Sequence, residues 1–370
     1  MFFYHFKFPS FKFSIKNCIF AKCHLESTNM RNRFLIKGLL CVCLLAGCKK
    51  DFSVNADYED FPIVFGLLSV TSDTHYIKVY KSFVTENNAY DVAKDIHRYS
   101  YLDSVQVYVV ERNAKGDSLR TIYFDTTTEI PKNEGVFAYP TQILYKAVTG
   151  LNVDYSYQLF VYNPYTNKMA YSKSLPLAGQ VTITKPMTSD LGITERSFSV
   201  EYKPAKNTYR YEFTITFYYS EEMQDRTIKP GKPITWTLGQ QPPPAGTGIE
   251  KYSVPSGEFF FKNIANHIVD SENVLSRRTD SVVLTVYTAA EDWYKYIFAS
   301  QPTSGINQNR LSYSNISACD MDTKAEKYAL GIFSSRAMTT KWFRDLATPS
   351  TRDSLFYGRF TKHLKFTDMY

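Results

Sequence analysis

Tyr209-Arg210-Tyr211-Glu212-Phe213-Thr214-Ile215-Thr216-Phe217 alternates large apolar and polar side chains without a break. Successive side chains of a strand point to opposite faces, so a period of two predicts a β-strand with one buried side. Just before it, Phe198, Val200 and Tyr202 alternate in the same way. Further strands are predicted at Ile234 to Leu238, Glu258 to Lys262, Val282 to Thr288 and Tyr328 to Ser334. Pro242-Pro243-Pro244 lies within Gly239 to Gly248, cannot join a sheet interior, and marks a protruding loop. Ala290 to Phe298 is predicted to be helical, because Glu291 and Asp292 suit the positive end of the dipole and Trp293 and Ile297 sit one turn apart. Thr340 to Leu346 reads as a second short helix.

Residues 61–178 carry the same β composition. Strands are predicted at Ile63 to Val70, Tyr76 to Phe83, Val105 to Val110, Leu119 to Phe124, Tyr155 to Tyr162 and Met169 to Ser174, and Tyr90 to His97 reads as a short helix or a loop. Leu151, Tyr157, Leu159 and Val161 have the spacing of a tyrosine corner, in which the Tyr157 hydroxyl bonds backbone near Leu151 and closes an inter-sheet arch. The fold class expected is therefore all-β. It consists of two tandem β-sandwich domains of immunoglobulin or fibronectin III type, 61–178 and 179–370, with a short helix and a tail in the second.

The chain start has another character. Met30, Arg31, Arg33 and Lys37 precede a ten-residue apolar run, Gly38 to Gly47, which is too short to span a bilayer and reads as a signal-peptide core. Leu45-Ala46-Gly47-Cys48 at its end has the form of a lipobox, predicting cleavage before Cys48 and acylation of that residue. Residues 30–47 are then the signal peptide and 48–60 a lipidated tether. The phenylalanine-rich residues 1–29 read as an upstream extension, with the true start at Met30.

Seven of the 43 Lys and Arg and one of the 36 Asp and Glu precede Cys48. The mature chain is thus nearly neutral, and a cationic nucleic-acid-binding face is excluded. Of the six cysteines, Cys18, Cys23, Cys41 and Cys43 leave with the leader and Cys48 is acylated. Cys319 alone cannot form an internal disulfide or a structural zinc site. An aromatic content of 16% suits cross-strand packing and opposes disorder.

Phe61 to Leu68, His75 to Val79, Asp125 to Tyr145 with Ile130-Pro131-Lys132 and Gly135-Val136-Phe137, and Ala329 to Arg336 are similar to patterns in Bacteroidota lipoproteins. The family that they resemble is domain of unknown function 4249. The resemblance covers most of the mature chain but rests on strand and turn patterns. It implies an outer-membrane lipoprotein with a TonB-dependent receptor as partner, and it carries over no catalytic residue. Lys49-Lys50-Asp51 matches a surface-export signal only in part, which leaves the periplasmic and outer faces both open.

The sequence has no HExxH, GxSxG, CxxC, EF-hand or phosphate-loop pattern. His75, His97, His267 and His363 are far apart, so no metal ligand set and no cofactor is expected. His267 and Asp270, with Glu291 and Asp292, are the nearest approach to an acid-base group, and Asp320 and Asp322 the nearest to a calcium site. Trp236, Trp293, Trp342, Tyr218 and Tyr219 are candidate ligand-contact aromatics. The leading expectation is a non-enzymatic, lipid-anchored envelope protein. An envelope hydrolase acting on glycan or peptide between the domains is the alternative.

Overall fold

The computed structural model describes residues 60–85, 88–193, 197–301, 313–347 and 349–367. Leu45, Ala46, Gly47 and Cys48, the signal peptide and nearly all of the tether lie outside these residues. The described chain is mostly β. In its first half the strands are β1 (Pro62–Leu68), β2 (Thr74–Lys81), β3 (Gln106–Arg112), β4 (Ser118–Thr127), β5 (Leu144–Val148), β6 (Ser156–Asn163), β7 (Lys168–Ser172) and β8 (Leu175–Pro176). Two short helices, α1 (Ala89–Val92) and α2 (Ile96–Tyr99), occupy the segment between β2 and β3. They are capped by Asn88 and Asp95, whose side chains accept from Tyr90 and His97 amides.

The second half contains β9 (Thr182–Lys185), β10 (Phe198–Lys203), β11 (Arg210–Met223), β12 (Ile228–Pro230), β13 (Ile234–Gln241), β14 (Glu250–Val254), helix α3 (Glu258–His267) and β15 (Val274–Ala289). Helix α4 (Glu291–Ser300), β16 (Ile316–Asp320), β17 (Glu326–Lys327), β18 (Leu330–Phe343) and helix α5 (Ser350–Tyr357) follow. One continuous path of paired strands runs β12-β11-β15-β18-β1-β2-β5-β4-β3-β6-β7-β16-β17, and β14-β10-β9 form a separate sheet.

This path serves two hydrophobic cores. One contains Val64, Ile77, Val107, Tyr157, Leu159 and Leu177. The other contains Val181, Val200, Phe213, Phe217, Leu284 and Phe343. The chain passes from one to the other between Leu177 and Val181. The C-terminal part then feeds both: β16 pairs with β7, and Ile316, Ala318, Ala329 and Phe333 enter the first core. β18 joins the two, because Leu330–Ser335 pair parallel with β1 and Arg336–Phe343 pair antiparallel with β15. Phe333 thus packs in one core and Phe343 in the other.

Two predicted elements are corrected. Glu258 to Lys262 is helical, because Phe260, Phe261, Ile264 and Ile268 are buried together while Phe259 is exposed. That pattern follows a helix face and not a two-residue period, and Glu258 pairs with Lys262 one turn later. Thr340 to Leu346 is not a helix. Its first residues extend β18 along the edge of β15, where β-branched and aromatic side chains suit the pleat.

The Tyr157 hydroxyl accepts from the Asn152 amide at 2.8 Å and donates to Glu111 Oε2 at 2.8 Å. Glu111 in turn takes a bidentate pair from Arg120, both bonds 3.0 Å, and Arg120 reaches the Gly150 carbonyl. Ala205 and Tyr211 repeat the device, with the Tyr211 hydroxyl accepting from the Ala205 amide at 3.2 Å. The two corners touch: Asn207 Nδ2 donates to the Val153 and Leu177 carbonyls, and Lys206 pairs with Asp154. Tyr157→Phe is expected to cost about 1–3 kcal/mol, since it strips a part-buried amide and a buried carboxylate of a partner. Tyr211→Phe should cost less, because its hydroxyl bonds to the Ala205 amide and carbonyl are longer, 3.2 and 3.4 Å, and it holds no carboxylate; urea unfolding midpoints of the two variants check the order.

Candidate functional site

An open groove of about 660 Å³ lies on the outer face of the sheet where β1, β2 and β18 meet, bordered by α4 and the turn after β1. Its position follows from strand alternation. Val64, Gly66 and Leu68 point into the first core, so Phe65 and Leu67 face the other way. The register places Ile332 beside Phe65 and Ser334 beside Leu67. β18 continues this face outward through Arg336, Met338, Thr340 and Trp342, all exposed. The Trp293 amide at the start of α4 donates to Ser334 Oγ at 3.0 Å, which seats the helix on the sheet. Trp293 and Tyr296, three residues apart, stack with centroids 5.7 Å apart and planes at 15°. Phe65 meets Tyr296 edge-on at 6.3 Å.

Arg336 is the charged residue of this lining, which contains no carboxylate. Among the described residues it makes no ion pair. Nearby Glu129 is bound by Lys146 and by the Tyr76 hydroxyl, and the Lys146 bond holds its carboxyl below the usual range. His75 is buried at the groove wall, and its Nε2–H donates to the Thr149 carbonyl at 3.0 Å. Burial pushes the imidazole pKa down, so the ring is neutral at pH 7 and adds no charge. Aromatic platforms, hydroxyls from the Ser69 to Thr74 turn and one guanidinium without an ion pair among the described residues can bind a ligand.

The candidate aromatics divide between surface and core. Trp293 lines the groove. Trp342 is 64% exposed and stacks on Tyr218, centroids 6.1 Å apart and planes at 20°. Tyr219, by contrast, is buried against Phe217 and Phe366, and Trp236 packs against Phe260 at the second core.

The other candidates find unrelated partners. The His267 ring bonds the Asn263 carbonyl, while Asp270 faces Arg277 and Lys365. Glu291 pairs with Lys295, and Asp292 is hydrogen-bonded by Tyr313. Asp320 caps a turn by accepting from the Asp322 and Thr323 amides, and Asp322 accepts from Asn167. Cys319 has a free thiol, and the described residues contain no group of three metal-ligating side chains. No helix among them is long and apolar enough to cross a membrane.

Phe65, Tyr76, Tyr287, Tyr296 and Arg336 were not singled out from sequence. Arg336 had one available signal, its place in the outward-facing series Arg336, Met338, Thr340 and Trp342, but reading Thr340 onward as a helix breaks that series.

No protein-family model matches the chain, and no curated protein is similar to it. Among solved structures, the C-terminal globular domain of an oligosaccharyltransferase from Pyrococcus abyssi aligns over 60% of this chain and 45% of its own, at 12% identity and a TM-score of 0.23. Trypsin-activated alpha-2-macroglobulin from Escherichia coli aligns over 76% of this chain but 15% of its own, at 9% identity and a TM-score of 0.15. The chain therefore spans less than half of either structure.

Proposed function

We propose that this chain is a lipid-anchored outer-membrane protein with a non-enzymatic binding role, accessory to a TonB-dependent transporter, and that the groove beside α4 is its binding site. The two cores are read as two immunoglobulin-like sandwiches bridged by β18, and Cys48 as their point of attachment to the membrane. The observation that carries the binding role is the half-buried aromatic lining around the exposed Arg336, which makes no ion pair among the described residues. The hydrolase alternative draws no support from the His267 neighbourhood, where the ring is bonded to a helix carbonyl.

Acyl chains at one cysteine anchor a protein by burying many methylenes, each worth about 0.8 kcal/mol. Cys48→Ala removes the thiol that accepts the lipid. Expressed in a Bacteroidota host, the wild type is expected in the membrane fraction with a lipid-modified amino terminus by mass spectrometry. The variant is expected to keep its leader or to appear in the soluble fraction. A wild-type chain that is uncleaved and unacylated in the cytosol overturns the reading.

A further inference from the structure

We infer that the groove and the β18 strip take an extended oligosaccharide bearing carboxylates, with one carboxylate on Arg336. This rests on the binding role proposed above and names its ligand class. The strip is linear: Arg336, Met338, Thr340 and Trp342 are alternate residues of one strand, so Arg336 and Trp342 lie roughly 20 Å apart along it. Aromatic faces stand at both ends. Trp293 and Tyr296 flank the Arg336 end, and the Trp342–Tyr218 stack closes the other. Tyr287 is the strand neighbour of Met338 between them.

Such faces carry negative charge density and attract the weakly positive C–H faces of a pyranose ring. The cation sets the sign of the ligand. Arg336 is exposed, makes no ion pair among the described residues, and lies in a lining without a carboxylate, which leaves its planar fork free for a bidentate acid. An extended peptide fits less well. Peptides that bind by strand addition need an open edge, whereas β1 is paired on both sides, by β18 and β2, and β18 is paired by β15 and β1.

The full chain, purified in detergent, would be probed on an array of uronate- and sialate-bearing glycans beside neutral ones, with polyglutamate as a peptide competitor. Binding of a carboxylated glycan well above its methyl ester is expected. By calorimetry, Arg336→Gln should weaken the acid at least tenfold and its methyl ester less than twofold, while Trp293→Ala weakens both. Arg336 is exposed, so a thermal melt of R336Q should match the wild type. Failure of every carboxylated glycan to exceed its neutral counterpart, an unchanged affinity in R336Q, or equal displacement by polyglutamate would overturn the inference. A chain acylated at Cys48 that binds no glycan sinks this ligand and leaves the envelope role standing; an unacylated chain that binds acidic glycans does the reverse.

Discussion

Gly331→Ala is expected to destabilise the protein by about 4 kcal/mol, the combined effect of a strained backbone and a steric collision, each roughly 1–3 kcal/mol. Gly331 has φ +125°, a region that side-chain-bearing residues rarely adopt. An added Cβ would lie 1.8 Å from the Val64 carbonyl oxygen, which belongs to the strand paired with it. β18 is held in place because Asn315 bonds the Gly331 and Phe333 carbonyls and the Phe333 amide from the side, and β1 is held by its pairing with β2. The damage falls in the part of β18 that pairs with β1, so amides of residues 63–68 should exchange faster with solvent. Gly116→Ala is the control. Gly116 has φ +90° with nothing near its Cβ position, so it isolates the conformational cost and should lose about 1–2 kcal/mol in the same urea titration.

Period-two alternation made the long strands legible. Tyr211, Phe213, Ile215 and Phe217 are all fully buried or nearly so, while the residues between them reach the other face. Local hydrogen-bonding chemistry was legible too, since Tyr157 bonds the backbone one residue from Leu151. The second corner, in which Tyr211 bonds Ala205 six residues before it where Tyr157 bonds Asn152 five before, was hidden because Tyr211 already had a role in the alternation. What the sequence hides is pairing between distant segments. The parallel match of residues 63–68 with 330–335 joins strands more than 260 residues apart, and no local pattern specifies a register at that distance. The groove was illegible for the same reason, because its walls come from β1, β2, α4 and β18 and exist only once that register forms. Helix α3 was missed on a different ground: three consecutive phenylalanines carry β propensity, and burial of Phe260 with Phe261 overrides it.

Arg277→Ala is expected to cost about 3 kcal/mol, the low end of the usual penalty for deleting one member of a buried ion pair, because the Glu221 side chain is itself 23% exposed. The side chain is only 1% exposed. Its Nε donates to Glu221 Oε1 at 2.8 Å, Nη1 to the Leu364 carbonyl at 2.8 Å and Nη2 to the Val269 carbonyl at 3.1 Å. One guanidinium thus ties β11, β15, the turn after α3 and the C-terminal segment together. Backbone bonds reinforce the tie, with Arg277 donating to the Lys365 carbonyl and accepting from the Thr367 amide. Without the guanidinium, Glu221 loses its partner, and two carbonyls are left to find water or stay unsatisfied. Residues 362–367 hold Leu364 and Phe366 in the second core, so their release should expose a protease-sensitive end before global unfolding. Arg277→Met fills most of the volume and separates packing from charge. If the uncompensated carboxylate is the larger part, Arg277→Met with Glu221→Met should recover much of the loss seen in Arg277→Met alone, stopping short of wild type because the Leu364 and Val269 carbonyls remain unpaired. A double variant no more stable than the single one would assign the loss to those two carbonyls and remove the ion pair from the account.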